Sequence, residues 1–320
     1  MNKLFFLIFT ALLITGCIFS DCFAKDENEV LIPENKGNLR YSITVTEFEN
    51  KAGWHGHWDI GSGFVEIMTD ALQQSGWFIV LGDKEMRSEA MKEQDFAASG
   101  RTAQGNKAPK IGRMTPAQLL VKGSITHVQS NTSGGSGGLS FRGIRIGGGK
   151  DSAEVNMTIY LVDSETGQVK ASKSVIGKSD KRNVRFGFHR SGVGGDLAGH
   201  QNDNLGKACE DAVWQATSFL IDQLEDITWS GKIMLSKPDK IIINRGEREG
   251  LKVGMAFDVG KIEELVDEDT GEVLDVDIAK IGTIEVTEVK EKLSYCKAIK
   301  GEASQFEKGM SIMPVENKDK

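Results

Sequence analysis

Tyr41-Ser42-Ile43-Thr44-Val45-Thr46-Glu47-Phe48 alternates polar and apolar residues and is rich in β-branched side chains, the signature of a strand. A glycine and aromatic loop follows, holding Gly53, Trp54, His55, Gly56, His57 and Trp58. Phe64, Ile67, Met68, Ala71 and Leu72 then recur at helical spacing and share one face. Ser62 is placed to cap that helix, and Gly76 after Ser75 to end it in a left-handed turn. Trp77 to Leu81 reads as a short buried strand and Asp83 to Phe96 as a second helix. Strand, helix, strand, helix is the grammar of an α/β domain.

The alternation continues downstream. Ala98 to Lys110 reads as a flexible connection, and Leu119 to Val128 and Ala153 to Asp163 as strands. Asp163-Ser164-Glu165-Thr166-Gly167 makes a hairpin turn into a strand at Gln168 to Ile176, with glycine supplying positive φ. Two unusual stretches interrupt the pattern: a glycine-rich one, Gly134 to Gly149, and another at Lys178 to His200. A long amphipathic helix closes the domain through Leu205, Ala208, Cys209, Ala212, Val213, Ala216, Phe219, Leu220 and Leu224. From Trp229 the texture changes to short strands separated by Asn244-Arg245-Gly246, Arg248-Glu249-Gly250 and Asp269-Thr270-Gly271 turns. That spacing predicts a small all-β barrel or sandwich, with the boundary at Ile227 to Gly231.

The chain has 320 residues, 39% hydrophobic and 27% charged, enough for a core and for two domains. Its formal net charge of -7 argues against a nucleic-acid surface. Lys3 precedes an apolar run from Leu4 to Ile14, which is a secretory leader and falls short of the roughly 20 apolar residues of a membrane helix. Two processing routes fit. Ile14-Thr15-Gly16-Cys17 is a lipoprotein pattern that removes residues 1–16 and leaves Cys17 as the lipid-modified terminus; cleavage after Ala24 removes 1–24 instead. Residues 25–38 then read as a tether, 39–227 as the α/β domain and 228–316 as the β-domain. Cys209 and Cys296 are expected as buried thiols, an interdomain disulfide being the alternative in an oxidising compartment.

Taken together, the α/β domain resembles the CsgG family, the curli production assembly/transport components. The resemblance lies in Ile43-Thr44-Val45 through Phe48-Glu49-Asn50, in Asp70-Ala71-Leu72 leading to Gly76-Trp77-Phe78, and in Leu119 to Ile125. Val155 to Val162 with Asp163 and Thr166-Gly167, and the helix after Leu205, complete it. It implies a periplasmic mixed sheet with helices, in an outer-membrane lipoprotein that assembles into a ring. In that family two segments of each subunit become β-hairpins of one shared barrel, which exports unfolded fibre subunits without nucleotide hydrolysis. The corresponding segments here are 131–154 and 174–201, each long enough for two strands of roughly 10 residues. The C-terminal part, through Asn244-Arg245-Gly246, Gly250 to Gly254, Ile281 to Ile284 and Phe306 to Gly309, resembles the β-domain of FlgT-type flagellar assembly proteins.

Membrane strands alternate lipid-facing apolar and lumen-facing polar residues. Val184, Phe186 and Phe188 alternate with Arg185, Gly187 and His189. In the first segment Phe141, Ile144 and Ile146 are the lipid-facing candidates, but one regular strand from Leu139 to Ile146 puts Arg142 and Arg145 on opposite faces. One arginine would then meet lipid unless a bulge at Gly143 restores the phase. The other reading makes both segments soluble loops or hairpins over the domain. The family's Tyr-x3-Asn-Phe constriction loop is missing. In its place Trp54, His57 and Trp58 either face a lumen or subunit interface or cover the edge of the core.

Little chemistry is visible. His55-x-His57 has no third or fourth ligand of the kind structural zinc requires. Glu263 to Asp277 lacks EF-hand order and reads as a solvated acidic hairpin. Gly147-Gly148-Gly149-Lys150 lacks the rest of a phosphate loop, and no nucleophile elbow is present. No cofactor, metal or enzymatic activity is expected. The expected partners are copies of the chain, the outer membrane on its periplasmic side through a lipid anchor, and exported proteins or other envelope assembly proteins. The alternative is a periplasmic lipoprotein that scaffolds envelope machinery without forming a pore.

Overall fold

The computed structural model describes residues 32, 35, 38–56, 58–103, 105–131, 140–141, 144–145, 152–179, 204–269 and 273–315. The leader with Cys17, most of the tether, His57, Ile146, Val184, Phe186 and Phe188 lie outside the described residues.

A five-stranded mixed sheet runs in the order β2-β1-β3-β6-β7. Its strands are β1 (Tyr41–Asn50), β2 (Phe78–Val80), β3 (Leu119–Asn131), β6 (Ser152–Asp163) and β7 (Val169–Lys178). β1 pairs in parallel with β2 and β3, while β3/β6 and β6/β7 are antiparallel. Helix α1 (Ile60–Ser75) connects β1 to β2, and α2 (Lys84–Ala98) leads from β2 towards β3. Helix α3 (Asn204–Asp222) packs on β6, β7 and α1.

One face of the sheet is dry. Along β6 every second residue, Ala153, Val155, Met157, Ile159 and Leu161, is buried, and the residues between are half-exposed, the period-2 alternation of a sheet covered on one side. Phe64, Met68 and Leu72 of α1 and Ala208, Ala212, Val213, Ala216 and Leu220 of α3 cover that face. Phe64 is fully buried, which contributes about 1.5–3 kcal/mol for a side chain of this kind. The small residues of α3 seat it close to β7. A Cβ at Gly177 would stand 1.9 Å from the Ala208 carbonyl oxygen and 2.7 Å from the Ala212 Cβ. Helix α2 buries only Ala97.

One detail corrects the sequence reading. Helix α1 starts at Ile60, so its cap is Asp59, whose Oδ1 accepts from the Ser62 amide at 2.7 Å; Ser62 lies inside the first turn. That hydrogen bond holds the Asp59 carboxyl below the usual carboxylate range. Gly76 ends the helix as expected, at φ 69°.

The C-terminal strands close into a six-stranded barrel in the order β10-β11-β12-β9-β8-β13, which resolves the choice between barrel and sandwich. The strands are β8 (Gly231–Lys237), β9 (Lys240–Ile243), β10 (Ala256–Val266), β11 (Val273–Val289), β12 (Ser294–Lys300) and β13 (Ser311–Pro314). β13 closes the ring by pairing with both β10 and β8. Ile233, Ile243, Phe257, Val259, Ile284, Val286 and Ile312 fill the interior. The barrel core and the sheet core belong to one buried apolar cluster.

The junction lies at the end of the sheet where β1 and β3 begin. The Tyr41 hydroxyl donates to the Ile227 carbonyl, and burial pushes its pKa up to about 12. The Arg40 amide donates to the Glu249 carbonyl at 2.9 Å. Glu249, 3% exposed, pairs with Arg248 at 2.6 Å and accepts from the Gly246 amide at 2.8 Å. Cys209 in α3 and Cys296 in the barrel are both buried thiols, and no disulfide joins them. Burial raises the Cys296 thiol to about 12.

Candidate functional site

Both unusual segments depart from the end of the sheet opposite the barrel. β1 stops where Asn50 meets Ile125, but β3 continues to Asn131, paired with β6 alone on that side. Asn131 stands against Ser152, and two residues further along β6 Glu154 stands against Lys178 of β7. The first segment therefore leaves from β3 and returns into β6, while the second leaves from β7 and returns into α3. Three adjacent strand ends and the start of α3 carry all of this traffic.

The root of the second segment is held from behind. Lys178 donates its amide to Asp211 Oδ2 on α3 at 2.9 Å, and Gln215 Nε2 bridges the Ile176 carbonyl and the same carboxylate, each at 2.9 Å. The Ser179 amide donates to the Ala153 carbonyl at 3.0 Å, and its hydroxyl accepts from the Ala153 amide at 2.8 Å. Asp211 is 7% exposed, so these donors are what make its burial tolerable. Sequence reading missed Asp211 and Gly177. An isolated glycine in a strand pattern is the available signal, since it marks close backbone approach.

The first segment holds a further pair of strands, β4 (Ser140–Phe141) and β5 (Ile144–Arg145), antiparallel with Phe141 opposite Ile144. Ser140–Phe141 and Ile144–Arg145 thus run in opposite directions and are not parts of one regular strand. Carried outward residue for residue, the β3/β6 ladder would bring Phe141 against Arg142; Phe141 pairs with Ile144, two residues away. The reversal lies midway between Asn131 and Ser152.

The aromatic loop follows β1 at this same end. Trp54 and Trp58 are half-buried, packed against the core cluster, with ring centroids 5.4 Å apart at 59°. Asn50 clamps the loop, donating to the Trp54 carbonyl at 2.7 Å and accepting its amide at 3.3 Å. A Cβ at Gly63 would fall 2.3 Å from the Trp58 ring, so the indole lies on the first turn of α1. The two indoles are brought together; His55 is exposed and His57 lies outside the described residues.

Residues 29–240 match the family of the curli production assembly/transport component CsgG. The chain belongs to the CsgG family. The match covers the sheet, its helices and both departing segments, and ends within the barrel's first strands. The curli production assembly/transport component CsgG of Salmonella typhimurium is 23% identical over 190 residues, 57% of this chain and 68% of its own length. Among solved structures, the PelC dodecamer of Paraburkholderia phytofirmans is 16% identical, with 58% of this chain and 90% of that chain covered at TM-score 0.29. Lipoprotein GNA1162 of Neisseria meningitidis is 15% identical, covering 58% and 99% at TM-score 0.24.

Proposed function

We propose that this CsgG-family protein is an oligomeric assembly/transport component of the cell envelope, and that segments 131–154 and 174–201 are the hairpins with which a ring of subunits enters the outer membrane. The reading rests on one observation: the first segment leaves and re-enters through paired strand ends, with a reversal midway and close to the ladder's own register. As a strand, Asn131 to Phe141 would span roughly 33 Å, and a membrane strand takes about 9–11 residues. Arg142 and Arg145 then stand near the far interface, where a charge costs about 0–1 kcal/mol rather than the roughly 2–4 of the midplane. Phe141, Ile144, Ile146, Val184, Phe186 and Phe188 would face lipid. Trp54, His57 and Trp58, beside the roots of the hairpins, would line the lumen or the contact between subunits.

In this reading Cys17 carries the lipid anchor, the barrel of residues 228–316 is an interaction module outside the membrane, and the cargo is an exported protein. Purified full-length protein in planar bilayers tests it. Discrete conductance steps, lost when residues 132–151 are deleted while the oligomer persists, are expected. An oligomer that never conducts would leave the scaffold function in place of the pore.

A further inference from the structure

β10 and β11 outgrow their barrel. β10 pairs with β13 only over Phe257–Gly260, and β11 pairs with β12 only over Thr283–Val289. Beyond these, Lys261 to Val266 pairs with Val273 to Ala279 and with no other strand among the described residues. Six residues at strand rise make a two-stranded arm roughly 20 Å long. Its surface does not suit solvent. Leu265 is 62% exposed and Leu274 58%, with Val266 and Val273 beside them. An isolated two-stranded ribbon is marginally stable in water, so an arm of this length with apolar residues outward calls for a cover. Beyond Lys261 at its base the arm is acidic as well: Glu263 to Asp277 holds eight carboxylates and no lysine or arginine.

The complementary surface is on the same chain. Between Ser99 and Thr115 stand Arg101, Lys107, Lys110 and Arg113, with no acidic residue. All four are exposed, and none forms an ion pair among the described residues. Ile111 is 64% exposed in their midst, and Phe96 and Met91 of the thinly packed α2 are 47% and 50% exposed just before them. Apolar residues among one sign of charge on the arm thus have a counterpart with the opposite sign.

We infer that the β10–β11 arm of one subunit docks on the basic Ser99–Thr115 segment, around Ile111, of a neighbouring copy. Two different surfaces of the same chain make a heterologous contact, the type that closes into rings. The inference rests on the assembly proposed above and names a contact that holds it.

The test uses full-length protein in detergent, with E268K/D269K on the arm, K107E/K110E on the basic segment, and all four changes together. Either pair alone should raise the concentration of half-association about tenfold or more, and the combination should recover most of it. In a mixture of isotopically labelled and unlabelled wild-type chains, carbodiimide should join the two segments in hybrid cross-linked peptides. Cross-links confined to one chain, or reversals that leave association unchanged, overturn the arm contact while the assembly stands. A wild-type protein that is monomeric at every concentration overturns both. Wild-type cross-linking decides the matter even if a reversal variant fails to fold.

Discussion

Gly177→Ala is the substitution that probes the root of the second segment. The new Cβ would stand 1.9 Å from the Ala208 carbonyl oxygen, where ordinary contact begins at 3.4 Å, so α3 would have to retreat by about 1.5 Å. Overpacking of this kind costs about 1–3 kcal/mol. The upper end is expected here, since the first obstacle is main chain and no side-chain rotation relieves it. Withdrawing α3 also loosens the Asp211 carboxylate from the Lys178 amide, and a buried charged acceptor losing its donor costs about 1–3 kcal/mol more. A total of about 4–6 kcal/mol, read by urea unfolding with tryptophan fluorescence, is the expected result. Ala212→Gly in the same chain should not restore it, because the Ala208 oxygen remains. Exposed Val169→Ala serves as control and should stay within about 0.5 kcal/mol. A Gly177→Ala protein as stable as wild type would refute the close seating of α3 on β7.

Asp59→Ala should cost about 1 kcal/mol in thermal or urea unfolding. Because the Ser62 amide lowers the folded-state pKa of Asp59, the wild-type advantage is complete above about pH 4 and should fade as pH falls through the folded value. Glu249→Gln leaves Arg248 without its ion pair at the junction and should destabilise by about 3 kcal/mol, with the barrel strands losing hydrogen-exchange protection first. Tyr41, raised to about 12, should titrate in absorbance well above the ordinary tyrosine range, as a step that Tyr41→Phe removes. Its contribution to stability is full below about pH 10 and lost as pH rises through the folded value, and Tyr41→Phe should remove that alkaline dependence. Cys209 and Cys296 should resist maleimide in native protein and react together on unfolding; early labelling of Cys296 would contradict its burial.

The α/β part was legible because its signals are local. The alternation in Tyr41 to Phe48, the helical spacing of Phe64 to Leu72 and the Asp163–Gly167 turn each specify an element without reference to the rest of the chain. The cap of α1 was misplaced because Asp59 and Ser62 are both good cap residues three positions apart, and only the start of the backbone helix distinguishes them. β13 was missed because Ser311–Pro314 is four residues long and acquires its role by closing a ring with distant β8 and β10. The site itself was half visible. Composition marks the two segments as unusual, but their common origin depends on strand order, which no local pattern encodes. The reversal between Phe141 and Ile144 hid inside what scans as a single strand, and the reach of the β10–β11 arm depends on where β12 and β13 stop pairing.

The most direct test of membrane entry is a depth scan of the second hairpin in the assembled protein. Single cysteines at positions 184 to 189 would carry an environment-sensitive dye in liposomes containing brominated lipid. Quenching at 184, 186 and 188 with protection at 185, 187 and 189 is the predicted result. Uniform water-like emission at all six positions, from an intact oligomer, would contradict it.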